Sequence, residues 1–234
     1  MLQDNLIYVV LIAIVGLAAL TVNFIITTRE EQEAARQKRL SWLQGQSEHL
    51  FHAIAILREA NCKPEIVTKL NEHAVSLLDE ISLLAPDSEL LEATTRLQRN
   101  ADSARPNPAV FANDKALKRA QIYINFAGKL VVQLARGGKL TPILARSYQQ
   151  ELYSLRINVV VEAHINQGTR FEGTGEIMTA LSHFKHAKAL LVRASLPRQR
   201  KTAMMERVQQ LISNIQPQRP KSRGTLADTI DRIL

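Results

Sequence analysis

Cysteine, glycine, proline and aromatic residues are all scarce in this chain of 234 residues. The single cysteine, Cys62, excludes an intramolecular disulfide framework and a zinc site made of several cysteines. The 9 glycines and 8 prolines are too few for the collagen-like and low-complexity classes. Hydrophobic residues nevertheless make up 46% of the chain, which is enough for a packed core. The abundance of Ala, Leu, Gln, Glu, Lys and Arg favours helices.

Charged residues are also absent from a long segment near the N-terminus, residues 6–27. Its 22 residues would form a helix of about 33 Å, long enough for a hydrocarbon core about 30 Å thick. A soluble core helix would have a polar face, and a cleaved signal peptide would have basic residues before a shorter apolar run. Neither feature is present, so the sequence predicts a transmembrane helix at 6–27 after a short extracytoplasmic segment at 1–5.

The predicted orientation follows from the basic residues beside this segment. None precedes it, and four follow it closely: Arg29, Arg36, Lys38 and Arg39. Lys and Arg accumulate on the cytoplasmic side of membrane segments. We therefore expect a single-pass protein of the cell (inner) membrane, with its N-terminus outside and its C-terminal domain in the cytoplasm.

Apolar residues after the predicted anchor recur at steps of three and four, a period typical of helices. The clearest stripe lies in residues 113–136, where it comes close to a short coiled-coil heptad pattern: Leu117, Ala120, Ile124, Ala127, Val131 and Leu134. No segment is a convincing strand. The predicted fold class is therefore all-α, with an N-terminal single transmembrane helix followed by an antiparallel helical bundle or a short α-solenoid.

Proline and glycine divide the chain into predicted segments. Beyond the membrane helix these are a juxtamembrane helical segment at 28–103, a linker at 104–112, a helical bundle or hairpins at 113–216, and a basic linker with a short C-terminal amphipathic helix at 217–234. Within the bundle, Gly137–Gly138 is expected to end one helix and Thr141–Pro142 to begin the next. A glycine-rich turn is predicted at 167–175.

Two pairs of histidines, each three residues apart, can share a helix face: His49 with His52 and His183 with His186. Helical di-iron proteins use Glu-x-x-His, and neither pair has a glutamate at that spacing. The P-loop, nucleophile-elbow and zinc-protease motifs are absent as well. We therefore predict no catalytic residue, no metal ligand and no cofactor, with a helical-bundle metalloenzyme as a remote alternative.

The net charge of +8 is concentrated in residues 193–223. This stretch has eight basic residues and one acidic residue, so it predicts a docking surface for anionic groups. The candidate contact residues are Arg198, Arg200, Lys201, Arg219, Lys221 and Arg223. A short helix after them is predicted to dock into a partner, or onto its own bundle, through Leu226, Ile230 and Ile233. A solvated basic tail without a binding role is the alternative.

These features predict a membrane-anchored cytoplasmic interaction protein, a scaffold or adaptor, without catalytic activity. Its partners would be proteins that the sequence does not identify, with a homo-oligomer as a further option. The alternative is a membrane-tethered protein that binds anionic lipid or nucleic acid through residues 193–223. Nucleic acid is the weaker of these two ligands, because no aromatic residue interrupts the basic stretch.

Overall fold

The structure, a computed structural model, describes residues 2–86, 88–107, 110–111 and 113–215, with side chains at 16–17 and from residue 20 onward. Its helices, numbered in chain order, are α1 (Leu2–Glu59), α2 (Pro64–Leu84), α3 (Glu89–Ser103), α4 (Asp114–Arg136), α5 (Pro142–Gly173), α6 (Ile177–Arg193) and α7 (Arg198–Ile215). The described residues thus form seven helices and no strand. The prediction of an all-helical bundle is confirmed.

The apolar run at 6–27 lies in the first part of α1. In the described part of the chain, no helix contains an apolar stretch long enough to cross a membrane. α1 continues directly from this run into the charged residues at 29–31. On this finding the predicted transmembrane helix, its orientation and the localisation in the cell (inner) membrane are wrong.

The chain divides into two compact units. The first consists of Met1–His49 and Glu72–Gln98. In it, Nε and Nη2 of Arg39 donate to the two carboxylate oxygens of Glu80, at 2.7 and 2.9 Å. Arg36 donates to the backbone carbonyl oxygen of Leu84. Both arginines were expected to orient a membrane helix, but here they attach α1 to α2.

The second unit consists of Leu50–Asn71 and Arg99–Leu234. In its described part, α4 packs against α5, α5 against α6, and α6 against α7. The stripe predicted for α4 forms its core face, since all six predicted residues are buried. A further core cluster joins α5, α6 and α7 around Phe184 and Val208, both fully buried. Helices that follow one another in sequence are therefore also neighbours in space.

Local sequence explains several helix ends in this unit. Asn113 caps α4, because its side chain accepts a hydrogen bond from the backbone N–H of Lys115 at 2.9 Å. Gly138 ends the same helix with a φ of 71°, in the left-handed region that glycine adopts without strain. Thr141 caps α5, and Pro142 occupies its first turn. The ends predicted at these positions are confirmed.

The glycine-rich turn predicted at 167–175 is wrong for most of its length, because α5 continues to Gly173. Gly168 lies inside the helix and is buried. A Cβ atom at this position would lie 2.5 Å from Cε1 of Phe184. Gly168 therefore permits α5 to approach the Phe184 ring closely instead of reversing the chain. The turn itself comes at 174–176.

Candidate binding surfaces

The basic helix α7 uses two of its arginines in ion pairs with α5. Nη1 of Arg200 lies 3.1 Å from Oε2 of Glu151. Nη1 of Arg207 lies 2.5 Å from Oε1 of Glu162. The four side chains remain partly exposed, so each pair contributes modestly to stability. Arg200 was predicted to contact anionic groups, and Arg207 belongs to the same basic stretch, but both are engaged in ion pairs with α5.

Another predicted contact residue of α7, Lys201, also serves inside the protein. Its Nζ donates to the carbonyl oxygens of Val192 and Ala194, at 2.9 and 3.0 Å. A lysine at this place stabilises the C-terminal end of α6, where backbone carbonyls lack helical partners. Arg198 is exposed at the start of α7. The remaining predicted residues lie outside the described part of the chain: Arg219, Lys221, Arg223, Leu226, Ile230 and Ile233.

The face of α4 opposite its core is basic, a feature that the sequence analysis missed. This basic stripe consists of five exposed residues: Lys115, Lys118, Arg119, Lys129 and Arg136. It extends along about 32 Å of helix. Ile122 lies among the cations with 65% of its surface exposed. Asp114 is the only acidic residue of α4, so the stripe combines positive charge with one apolar side chain.

Arg119 is the member of the basic stripe whose position is fixed by aromatic neighbours. Its guanidinium carbon lies 5.7 Å from the ring centroid of Tyr123, and its Nη2 lies 3.2 Å from Nδ1 of His52. His52 was one half of a predicted histidine pair. Here it orients an arginine through a ring nitrogen.

A charge count over shorter windows would have indicated the basic stripe. Residues 103–146 contain eight basic residues and one acidic residue. Residues 1–102 contain nine basic and 14 acidic residues. In a net charge counted over residues 1–192, the acidic segment at 1–102 cancels most of the basic segment at 103–146. Only the positive excess at 193–223 then remains apparent.

A cavity of about 410 Å³ opens beside Cys62 in the second unit. Cys62 lies between α1 and α2, while α5 and α7 supply the other walls. Burial raises the pKa of the Cys62 thiol to about 12. A thiol that stays protonated at neutral pH is a poor nucleophile, so the cavity is suited to binding and not to cysteine catalysis.

Glu151 is the charged centre of this Cys62 cavity. Its Oε1 lies 2.9 Å from Nζ of Lys63, and its Oε2 lies 3.1 Å from Nη1 of Arg200. These hydrogen bonds, that of Lys63 first, lower the pKa of Glu151. The carboxylate is therefore ionised at neutral pH. One negative and two positive charges leave the rim of the cavity with an excess of one positive charge.

One predicted histidine pair, His183 with His186 on α6, is joined by His164 from α5. Nδ1 of His164 lies 3.3 Å from Nδ1 of His183, and the rings of His164 and His186 have centroids 4.5 Å apart. Phe171 stacks on His183 with centroids 5.3 Å apart. Among the residues with described side chains, no group of three or more His, Cys, Asp or Glu is placed to hold a metal ion. His164 stands 19 residues from His183, so local spacing gave no signal for it.

The histidine cluster predicts that the protein loses stability in mild acid. Burial, followed by repulsion from His186 and His183, lowers the pKa of His164, and Asp114 acts weakly in the opposite direction. Between this lowered pKa and the ordinary value of about 6.5, the unfolded chain binds more protons than the folded chain. The free energy of unfolding therefore falls as the pH drops through that range, and the contribution is complete above it.

Urea unfolding at about pH 8 and about pH 5 measures this loss. We expect His164→Gln to reduce the difference between the two midpoints. His49→Gln, at an exposed histidine outside the cluster, is the control and should keep the full difference. An unchanged difference in His164→Gln would show that other groups cause the acid sensitivity.

Comparison with protein-family models, with curated proteins and with solved structures found no match to this chain. The function is therefore inferred from the side chains and charges of the described residues.

Proposed function

We propose that this protein is a helical interaction protein, a scaffold or adaptor without catalytic activity, and that the basic stripe of α4 binds an acidic segment of a partner protein. The observation that carries the proposal is the exposed face of α4, which five cations share with Ile122. The opposite, apolar face of α4 is buried and packs against α5, so the helix that presents the basic stripe is held in place.

The composition of the stripe favours a protein partner over a nucleic acid. Protein interfaces combine an apolar centre with a polar rim, and Ile122 with its surrounding cations has this arrangement. An acidic amphipathic helix supplies both carboxylates and an apolar side chain. A phosphate backbone offers nothing apolar to Ile122. The nearby rings of Tyr123 and Phe126 are half-buried, whereas bases stack on exposed rings.

The α4 stripe is a better docking face than the predicted stretch at 193–223. Arg200, Arg207 and Lys201 of that stretch contact acceptors on α5 and α6. A partner would have to compete with these contacts. Binding of anionic lipid or nucleic acid through α7 is therefore less well supported.

The titration of the polar groups agrees with a non-catalytic role. A nucleophilic cysteine has a lowered pKa, whereas burial raises that of Cys62. A carboxyl group that acts as a general acid near neutral pH has a raised pKa, whereas hydrogen bonds lower that of Glu151. Neither group therefore has the pKa of a nucleophilic thiol or of a general acid at neutral pH.

The test measures binding of a labelled acidic helical peptide, built from glutamate with leucine along one face, to the full chain by fluorescence anisotropy. We expect Lys118→Glu combined with Lys129→Glu to weaken binding about tenfold or more, since two attractions become repulsions. Ile122→Ser should weaken it severalfold by removing the apolar contact. The same mutants are also titrated with a DNA duplex of comparable charge.

The matched control reverses two exposed cations outside α4, Lys185→Glu with Arg198→Glu, and should leave peptide binding almost unchanged. Equal losses in the stripe and control mutants would reduce the effect to net charge and overturn the proposal. Tighter binding of DNA than of the peptide, with no effect of Ile122→Ser, would replace the protein partner by a nucleic acid.

A further inference from the structure

The Cys62 cavity takes no part in the proposed docking role of α4. Its volume of about 410 Å³ lies within the range of about 300–1,000 Å³ that small-molecule sites occupy. All of its walls belong to the second unit, from the turn between α1 and α2 to α5 and α7.

The rim of the cavity offers more hydrogen-bond donors than Glu151 accepts. An ammonium group carries three N–H groups and a guanidinium group carries five. Glu151 accepts one contact from Lys63 and one from Arg200. The side chains of both cations are 50% exposed, whereas that of Glu151 is 24% exposed. N–H donors therefore remain on both cations, and the cavity lining carries an excess of one positive charge.

Apolar side chains form another part of the lining, which also contains two asparagines. Leu155 and Leu196 line the cavity with Met204, and all three are half-buried. Ser154 also lines the cavity, and its hydroxyl donates to the backbone carbonyl oxygen of Gln150 at 2.9 Å. This hydroxyl therefore does not require a hydrogen-bond acceptor on a ligand. A lining that combines an excess positive charge with apolar side chains fits a molecule with a negative head and a hydrocarbon body.

We propose that the Cys62 cavity binds a small organic anion, a carboxylate or a phosphate monoester that carries an apolar group. The head accepts hydrogen bonds from Lys63 and Arg200, which share their donors between the ligand and Glu151. The hydrocarbon part fills the space beside Leu155, Leu196 and Met204 and displaces water from it. This site is independent of the basic stripe of α4.

Cys62 provides a built-in measure of occupancy, because it lines the cavity and is the sole cysteine of the chain. The test follows the rate at which an excess of a thiol-specific disulfide reagent modifies the full chain at about pH 9, where more of the thiol is ionised than at neutral pH, with hexyl phosphate as the probe. We expect hexyl phosphate to slow modification about fivefold or more at saturation. Inorganic phosphate and hexanol should each have a much smaller effect, because each offers half of the required chemistry.

Three variants separate a binding site from a structural ion pair. Lys63→Gln with Arg200→Gln should abolish protection, whereas Arg207→Gln, which removes the other α5–α7 pair, should retain it. Glu151→Gln is the sharper variant, because it removes the carboxylate that competes for both cations. We expect it to bind hexyl phosphate more tightly by about tenfold, as calorimetry would measure.

The proposal is overturned if hexyl phosphate fails to protect Cys62 in both the wild type and Glu151→Gln while circular dichroism shows that both are folded. Weaker binding in a folded Glu151→Gln would also overturn it, since Glu151 would then be part of the ligand site and not its competitor. Equal protection by hexanol would show a purely apolar site.

Discussion

Replacement of Ala127 by Asp in α4 is expected to destabilise the second unit by about 3–5 kcal/mol, the cost of leaving an uncompensated charge in a core. Ala127 is fully buried within the stripe that packs on α5. A carboxylate there loses its water without gaining a cation, because the basic residues of α4 occupy the opposite face. Such a loss is comparable to the whole margin of a small domain, so we expect partial or complete unfolding.

Urea unfolding followed by circular dichroism measures the effect of Ala127→Asp. Ile122→Asp introduces the same carboxylate on the exposed face of α4 and should change the midpoint little. Ala127→Asn keeps the size of the new side chain without its charge, and should lie between the two. If Ala127→Asp and Ile122→Asp unfold at the same urea midpoint, then position 127 is hydrated, which would contradict the packing of α4 on α5 described above.

The features that follow from local sequence were predicted well. The six-residue stripe of α4 is buried as expected, because a period of three and four along one helix depends only on that helix. Asn113, Gly138 and Thr141 stand where helix ends were predicted, since capping depends on a few neighbouring residues.

Contacts between two helices could not be predicted from the periodicity and capping residues of each helix alone. Glu151 and Arg200 are 49 residues apart in sequence, and their pairing requires α5 and α7 to pack at one register. Without that register, the cations at 193–223 seemed free to face outward. Likewise His164 joins His183 only because α5 packs on α6. For these residues the sequence therefore indicated which side chains are basic or are histidines, but not which residues they contact.

The membrane prediction shows the limit of reading one segment alone. An apolar run was weighed against the thickness of a bilayer, and the arginines after it were counted as topology signals. In the first unit Arg36 and Arg39 instead contact acceptors on α2. A basic residue that follows an apolar run can thus serve in packing, and its partner is visible only in three dimensions.

Gly168→Ala is expected to destabilise the protein, although alanine is the better helix former. In an open helix the change from glycine to alanine stabilises by about 1 kcal/mol. At position 168, however, the new Cβ would lie 2.5 Å from Cε1 and 2.8 Å from Cδ1 of the fully buried Phe184 ring. Either that ring or α5 must then move, and overpacking of this kind costs about 1–3 kcal/mol. The difference between this cost and the helix gain is a net loss of up to about 2 kcal/mol.

Gly128→Ala is the matched control, because Gly128 also lies inside a helix and a Cβ there meets nothing within 4 Å. It should stabilise the protein by up to about 1 kcal/mol, so the two substitutions have opposite signs. Phe184→Leu should cost less in the Gly168→Ala background than in the wild type, because the smaller side chain makes room for the methyl group. Urea midpoints of the wild type, Gly168→Ala, Phe184→Leu and the double variant give this coupling free energy. A stabilising Gly168→Ala, or the same cost of Phe184→Leu in both backgrounds, would show that α5 does not depend on a glycine to approach α6.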